Sequence, residues 1–186
     1  MRSDAYTIKD LMIPISEYAT VSEDATLFEA VLSLEKAQAD FDHTRYRHRA
    51  VLVLDAQGAV IGKLSQLDAL RALEPKYAEM QSGDSLARLG FSRKFMKSMM
   101  EHYKLFDRPL KDICKTAATA KVRDFMHALT EGEFVEESAS LDEAIHQLVL
   151  GHHQSLLVTR DKDIIGILRL TDVFAAIFHT MKECFV

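Results

Sequence analysis

The sequence contains an internal duplication, and this feature limits the possible folds more than any other. With an offset of 114 residues, the stretch 20–31 (TVSEDATLFEAV) aligns with the stretch 134–145 (FVEESASLDEAI) and shares six identical positions with it. With an offset of 104 residues, the stretch 48–70 aligns with 152–174, and both contain a Gly followed six residues later by an Asp. The change of offset places ten additional residues in the first copy. The chain therefore consists of two related units.

Each copy shows the same order of hydrophobic patterns. An extended stretch around Val21 or Val135 precedes apolar residues at helical spacing, and this helix is predicted to have Asp24 or Ser138 as its N-cap. Two apolar runs separated by a short polar turn then predict a β-hairpin, and a last helix begins near the repeated Asp. The predicted order is β-α-β-β-α in each copy, and the fold class is α/β (α+β).

The composition is typical of a soluble globular protein. Of 186 residues, 48% are hydrophobic and 27% are charged, which is enough for one large core or two small ones. The formal net charge of −5 argues against nonspecific binding to nucleic acid or to a membrane. No apolar run approaches about 18 residues, and the first residues lack the pattern of a signal peptide. We therefore expect a cytoplasmic protein in which Cys114 and Cys184 are reduced thiols.

The segment 75–120 separates the two copies, and its pattern predicts helices. One helix is predicted to follow an N-cap at Ser92, and Asp107 with Pro109 is predicted to start another. The apolar positions of these two helices are Phe95, Met96, Met99, Met100, Tyr103, Leu110, Ile113 and Cys114. This apolar stripe either packs against the rest of the protein or a second subunit, or forms an output surface. The segment is rich in basic residues but has no helix-turn-helix motif or stacking platform, so a nucleic-acid partner is not expected.

The two copies share a longer motif. Each opens with Asp-Leu-Met or Asp-Phe-Met and closes its hairpin with Gly-x-x-Ser/Thr-x-x-Asp or a variant of it. This pattern resembles the cystathionine-β-synthase (CBS) domain, and over about residues 8–74 and 122–180 the chain resembles a CBS pair. The resemblance implies two pseudo-symmetric repeats, 1–74 and 121–186, packed through their sheets, with 75–120 as a helical insert. It also implies two clefts that bind adenine nucleotides, a regulatory role and association as a homodimer.

Asp68 and Asp172 have two interpretations that can hold together. From spacing alone, each caps the helix that it begins; the resemblance implies that each binds the ribose of a nucleotide, with phosphate near the start of the same helix. The small hydroxyl residue three positions earlier is Ser65 in the first copy, whereas the second copy has Arg169 there. Thr171, directly before Asp172, offers a replacement hydroxyl. Arg169 either reaches a phosphate or fills the cleft and pairs with a carboxylate.

The resemblance implies further ligand contacts. A basic residue at the entry to the first hairpin strand would reach the phosphates, which selects Arg49 and His153. Residues near the first strand would contact the adenine, and these positions are Tyr18, Thr20, Phe134 and Val135. The adjacent pair of histidines at 152–153 has no spaced carboxylate or Cys partner, so neither a metal site nor a resident cofactor is predicted.

Three functions follow from these observations. The first is a sensor that binds AMP, ADP, ATP or S-adenosylmethionine and signals through a change of conformation or oligomeric state to an effector protein. The second is an interaction or dimerisation module without a ligand, its clefts blocked by side chains such as Arg169. The third is an enzyme, which is not expected because the sequence has no nucleophile–base motif, phosphate-binding loop or paired carboxylates.

Overall fold

The structure is a computed structural model that describes residues 6–40, 46–73, 93–104 and 112–184. The first repeat contains α1 (Ile8–Leu11), β1 (Ile13–Pro14), β2 (Thr20–Ser22), α2 (Leu27–Asp40), β3 (Ala50–Leu54), β4 (Val60–Ser65) and α3 (Gln66–Ala72). The insert contributes α4 (Arg93–His102) and α5 (Ile113–Thr119). The second repeat contains β5 (His127–Ala128), β6 (Phe134–Glu136), α6 (Leu141–Leu150), β7 (Ser155–Arg160), β8 (Asp163–Arg169) and α7 (Leu170–Cys184).

The two repeats exchange their first strands. One sheet has the order β2-β3-β4-β5 and the other has the order β1-β8-β7-β6. β1 of the first repeat pairs antiparallel with β8 of the second, with Ile13 opposite Ile167. In the same way, β5 of the second repeat pairs with β4 of the first, with Lys63 opposite His127. The predicted β-hairpins are present as β3–β4 and β7–β8, but the sequence pattern did not predict the exchange.

The exchange extends to the hydrophobic cores. Ile8 of the first repeat is fully buried among residues of the second repeat, including Leu156 and Leu168. Val122, which opens the second repeat, is buried in the core of the first repeat. A third cluster joins the two sheets and contains Ile13, Tyr18, Leu52, Leu157 and Ile167. The predicted fold class, two pseudo-symmetric repeats packed through their sheets, is confirmed.

Local side chains decide where the long helices begin. Thr26 and Glu29 form reciprocal hydrogen bonds at the start of α2, and the Ser140 hydroxyl accepts from the backbone N–H of Glu143 at the start of α6. The predicted N-caps at Asp24 and Ser138 were therefore wrong by two residues. In both helices the cap is a hydroxyl residue three positions before a Glu, and its hydroxyl accepts from the backbone N–H of that Glu. Of these two described helices, only α2 has a Glu side chain that also accepts from the cap residue.

The insert is helical in its described parts, as α4 and α5. Its end is joined to the first repeat: the backbone N–H of Leu27 donates to the carbonyl of Ala120, and that of Val122 donates to the carbonyl of Ala25. α5 packs against α2. The predicted helix starts at Ser92 and Asp107, and the positions Met96, Pro109 and Leu110, lie outside the residues whose side chains the structure describes. None of the described helices is long and apolar enough to cross a membrane.

The repeated Gly lies where the strand exchange brings two backbones close together. A Cβ atom on Gly166 would lie 2.7 Å from the carbonyl oxygen of Ile13 in β1. A Cβ atom on Gly62 would lie 2.9 Å from the carbonyl oxygen of His127 in β5. Real Cβ atoms do not approach a backbone this closely. The Gly of the duplicated motif therefore permits the exchanged strand to pair.

We expect Gly166→Ala and Gly62→Ala to destabilise the protein by about 1–3 kcal/mol each, since the added methyl group pushes the exchanged strand away. Urea unfolding followed by circular dichroism measures this loss. Gly132→Ala is the matched control, because a Cβ atom there meets only an ordinary contact of 3.5 Å with His153. Equal stability of Gly166→Ala and Gly132→Ala would contradict the proposed role of the glycine.

Candidate functional site

The junction between β8 and α7 carries a buried ion pair. The Arg169 guanidinium donates from Nε to Oδ2 of Asp172 at 2.5 Å and from Nη2 to Oδ1 at 2.7 Å. The two residues are only 5% and 7% exposed. The structure therefore supports the interpretation in which Arg169 pairs with a carboxylate. The assignment of a ribose to Asp172 stays a prediction, and both of its carboxylate oxygens already accept hydrogen bonds from Arg169.

Arg169 also joins the second repeat to the first. Its Nη1 donates to the carbonyl oxygen of Tyr46 at 2.7 Å and lies 3.4 Å from Nδ1 of His48. His48 is fully buried, and its ring packs edge-on against Tyr18 with 4.4 Å between the ring centroids. Side chains from both repeats therefore occupy the space at the start of α7.

Tyr18 belongs to this buried group. Burial raises the pKa of its phenol to about 12, with a further contribution from the Asp172 carboxylate. The Arg169 guanidinium and a hydrogen bond with the backbone of Ala50 oppose this rise only in part. A Tyr that is buried beside an ion pair stays neutral over the physiological range of pH.

Asp68, the equivalent of Asp172, has a different environment. Its Oδ2 accepts from the backbone N–H and the hydroxyl of Ser65, at 3.0 and 2.6 Å, and the Ser65 hydroxyl accepts from the N–H of Asp68 at 3.1 Å. Its Oδ1 accepts from the half-exposed Arg71 at 3.2 Å. The Asp68 side chain is 16% exposed, against 8% for Asp172. The N-cap of α3 is Ser65, and Asp68 at the third helical position completes the capping box, so Asp68 contributes to the cap without being the N-cap residue.

A pocket of about 360 Å³ adjoins this cap. It is lined by Glu35, Gln38, Tyr46, Arg47, His48, Arg49 and Gln66. The backbone N–H of Gln66 donates to the carbonyl of Arg49 at 3.0 Å, so the entry to β3 lies against the start of α3. The predicted Arg49 is in this pocket, together with a second arginine, Arg47, that the sequence analysis did not select. Both arginines are exposed, which makes the pocket suitable for an anion.

The equivalent region of the second repeat has a larger and more acidic pocket. It measures about 510 Å³, and its lining includes Gly132, Asp142, Glu143, His146 and the predicted His153. The first pocket is lined by two arginines and one carboxylate, Glu35, whereas the described lining of this one has two carboxylates and no Lys or Arg. The two pockets therefore favour ligands of different charge.

A second buried ion pair, between Lys63 of β4 and Glu133, also joins the repeats. His127 and His153 lie 3.8 and 3.9 Å from the Glu133 carboxylate. Burial alone would raise the pKa of Glu133, but hydrogen bonds from Lys63 and from the backbone N–H of Thr130 outweigh it and lower the pKa. His153 therefore faces a buried anion, which is a poor place for the phosphate that the sequence analysis assigned to it.

The other predicted contacts are spread over several environments. Thr20 begins β2 and is half-buried, and Thr171 is half-buried in the first turn of α7. Phe134 packs in the cluster between the sheets, and Val135 is buried in the core of the second repeat. Their roles in binding adenine or phosphate stay predictions, although the structure places Val135 among core side chains and not in either pocket.

The sequence analysis did not select the polar partners that join the repeats. Among these residues are Tyr46, His48, Lys63 and Glu133. One signal was present for His48, because it aligns with an identical residue in the second copy. The others have no identical counterpart. Among the described residues, no group of three or more His, Cys, Asp or Glu side chains could hold a metal ion.

Comparison with known families identifies the class of protein. The sequence model of the CBS domain matches residues 8–75 and 122–179, which is more than half of the chain. The chain therefore belongs to the CBS domain family and contains two such domains. A search of curated proteins with this sequence finds no match.

Solved structures of CBS proteins share the fold. CBSX2 in complex with AMP superimposes with a TM-score of 0.57 at 20% identity, covering 95% of this chain and 99% of that one. A CBS-domain protein from Kribbella flavida gives a TM-score of 0.59 at 18% identity, covering 93% and 98%. The CBS-domain protein ATU1752 from Agrobacterium tumefaciens gives 0.57 at 18% identity, covering 95% and 96%. At these identities the similarity establishes the fold alone.

We expect Arg169→Met to lower the free energy of unfolding by about 3–5 kcal/mol, because it leaves the Asp172 carboxylate buried without its partner. Arg169→Met combined with Asp172→Leu should lose much less, since no buried charge remains. Urea unfolding of both single variants and the double variant measures the coupling. Arg160→Met is the control, because its pair with Glu137 is at the surface and is worth at most about 1 kcal/mol. Additive losses at 169 and 172 would contradict the coupling.

The pKa of Tyr18 predicts a loss of stability at high pH. The folded protein favours the neutral phenol, so its contribution is complete below the unfolded pKa of about 10 and is lost as the pH rises toward 12. Urea unfolding between these pH values should show a steeper decline for the natural protein than for Tyr18→Phe. Parallel declines in the two proteins would show that Tyr18 ionises freely in the folded state.

Proposed function

We propose that this protein is a regulatory module that binds an adenosine-containing nucleotide in the pocket between the start of α3 and the entry to β3. The observation that carries the proposal is a pair of exposed arginines, Arg47 and Arg49, in the lining of one pocket. The partly exposed carboxylate of Asp68 lies two residues after Gln66, which lines the same pocket at the start of α3. The carboxylate and the two arginines are complementary to two parts of a nucleotide, the hydroxyl groups of the ribose and the negative charge of the phosphate.

The ribose is assigned to Asp68. Among the residues that the structure describes, the half-exposed Arg71 at 3.2 Å is the one hydrogen-bond partner of its Oδ1. Two vicinal hydroxyl groups can replace that contact by charge-assisted hydrogen bonds. The Ser65 hydroxyl already holds the other oxygen in place. The carboxylate is thus oriented before the ligand arrives, which reduces the entropic cost of binding.

The phosphates are assigned to Arg47 and Arg49, since guanidinium groups bind phosphate oxygens in a bidentate manner. The known structure of CBSX2 with AMP supports this class of ligand, because a protein of the same fold binds an adenosine monophosphate. Thr20 remains our assignment for a contact with the adenine. The proposal gives none of these residues a catalytic step.

The signal is assigned to a shift between two arrangements of the repeats. The strand exchange joins each repeat to the sheet of the other through the hydrogen-bonded strands β1 and β5. A ligand that pulls α3 toward β3 would therefore also change the packing between the repeats. Several helices carry exposed large apolar side chains that a partner protein or a second copy of the chain could contact. Examples on three of these helices are Phe28, Leu32, Leu67, Leu70, Phe174 and Phe178.

A second candidate is an interaction module without a ligand. The observation in its favour is the Arg169–Asp172 pair, which occupies the start of α7 with the protein's own side chains. In that case the pocket at Asp68 would bind no nucleotide either.

Calorimetric titration with AMP, ADP, ATP and S-adenosylmethionine tests the proposal. We expect saturable binding of at least one of them, and we expect Asp68→Ala to weaken it by roughly tenfold or more, since hydrogen bonds to a charged group contribute about 1.5–3 kcal/mol. Asp10→Ala is the matched control: Asp10 forms the same capping box with Thr7 at the start of α1 and is exposed. Absence of saturable binding with all four ligands would favour the module without a ligand.

A further inference from the structure

The two equivalent clefts of the duplicated chain are filled to different degrees. At the start of α7, the guanidinium of Arg169 lies between the repeats and the ring of Tyr18 is buried nearby. The duplication aligns Arg169 with Ser65 and Tyr18 with Gly132. At the start of α3, the equivalent of Arg169 is therefore the hydroxymethyl group of Ser65. The equivalent of Tyr18 is a hydrogen atom, at Gly132, which lines the pocket of about 510 Å³.

We propose that Arg169 is a built-in occupant of the Asp172 cleft, so that each chain binds one nucleotide, at Asp68, and not two. This inference rests on the proposed function of the Asp68 pocket. It identifies Arg169 as the residue that determines the stoichiometry.

The contacts of Arg169 reproduce those that a ligand would make. Its Nε and Nη2 satisfy both carboxylate oxygens of Asp172, which are the acceptors that a ribose would use. Its Nη1 satisfies the carbonyl of Tyr46 in the other repeat at 2.7 Å. A ligand entering this cleft would have to displace a buried charge and leave three acceptors to be satisfied again, which opposes binding.

The sequence of the first repeat shows which substitution at Arg169 should open this cleft. Arg169→Ser creates the sequence Ser-x-x-Asp at the start of α7, and the same spacing forms a capping box at Ser65–Asp68. Thr7–Asp10 forms this box as well. The new serine can therefore satisfy Asp172 and cap α7 after the arginine is removed.

Calorimetric stoichiometry with AMP, ADP, ATP and S-adenosylmethionine tests the inference. We expect one site per chain in the natural protein and two in Arg169→Ser, the second being lost again in Arg169→Ser combined with Asp172→Ala. Arg160→Ser is the matched control, because it removes an arginine that also forms a two-point pair, with Glu137, but at the surface. This control should keep one site.

The outcomes separate the inference from the proposed function. Two sites in the natural protein, or one site in a folded Arg169→Ser that is still lost on Asp68→Ala, would overturn the inference and leave the proposed function intact. No site in the natural protein and one in Arg169→Ser would refute both the proposed function of the natural chain and the stoichiometry of one, and would show only that Arg169 blocks the Asp172 cleft. No binding by either protein would overturn both.

The reciprocal variant, Ser65→Arg, tests the inference if Arg169→Ser does not fold. In Ser65→Arg, the new guanidinium should pair with Asp68 as Arg169 pairs with Asp172, and the single site should be lost. Circular dichroism and the unfolding transition establish that this variant is folded. Retention of nucleotide binding by folded Ser65→Arg would show that an arginine at this position does not close a cleft, and the inference would fail.

Discussion

The exchange of first strands between the repeats is the constraint on which the rest of the structure depends. It takes Ile8 and Ile13 of the first repeat into surfaces made by the second, and it takes Val122 into the core of the first. Neither repeat can bury its apolar face completely without the other. The two cores and the interface between the two sheets, which we call the seam, therefore form as one unit. The exchange also requires close approach of backbones at β4 and β8, and this explains why both copies have a Gly at that position.

Charged groups at the seam follow from the same constraint. Once the two sheets face each other, any charge between them is buried and must be paired. Arg169 meets Asp172 and the Tyr46 carbonyl on one side, and Lys63 meets Glu133 on the other. Each arrangement crosses from one repeat to the other, so the polar contacts reinforce the alignment of the sheets that the apolar cluster establishes. Their disruption is costly because removal of one partner leaves the other charge in the interior.

Much of the fold could be predicted from the sequence, because hydrophobic period and turn residues are local signals. The hairpins β3–β4 and β7–β8, the following helices and the duplication itself were all visible in the pattern. The exchange was not, since a two-residue strand such as Ile13–Pro14 carries no period and its partner is far along the chain. The site was predicted less completely. The resemblance selected Arg49, which lines a pocket, and the spacing indicated a cap near Asp68, where Ser65 is the N-cap. The contact of Arg169 with Tyr46 depends on packing between repeats and has no sequence signal.

Duplication supplies two copies of each aligned position. Apolar and glycine positions that the strand exchange requires differ in this respect from polar positions between the repeats. Positions that the exchange requires are retained in both copies: the Gly at 62 and 166, and an apolar residue at each start, Ile8 and Val122. Two polar residues that join the repeats have different residues as their counterparts. Arg169 has Ser65 as its counterpart, and Glu133 has the buried Ala19. A change at a polar position alters one cleft and leaves both cores intact, because apolar burial supplies most of the stability. The fold thus allows one copy of a position to form a contact between the repeats, as Arg169 does, while the other copy, Ser65, caps a helix.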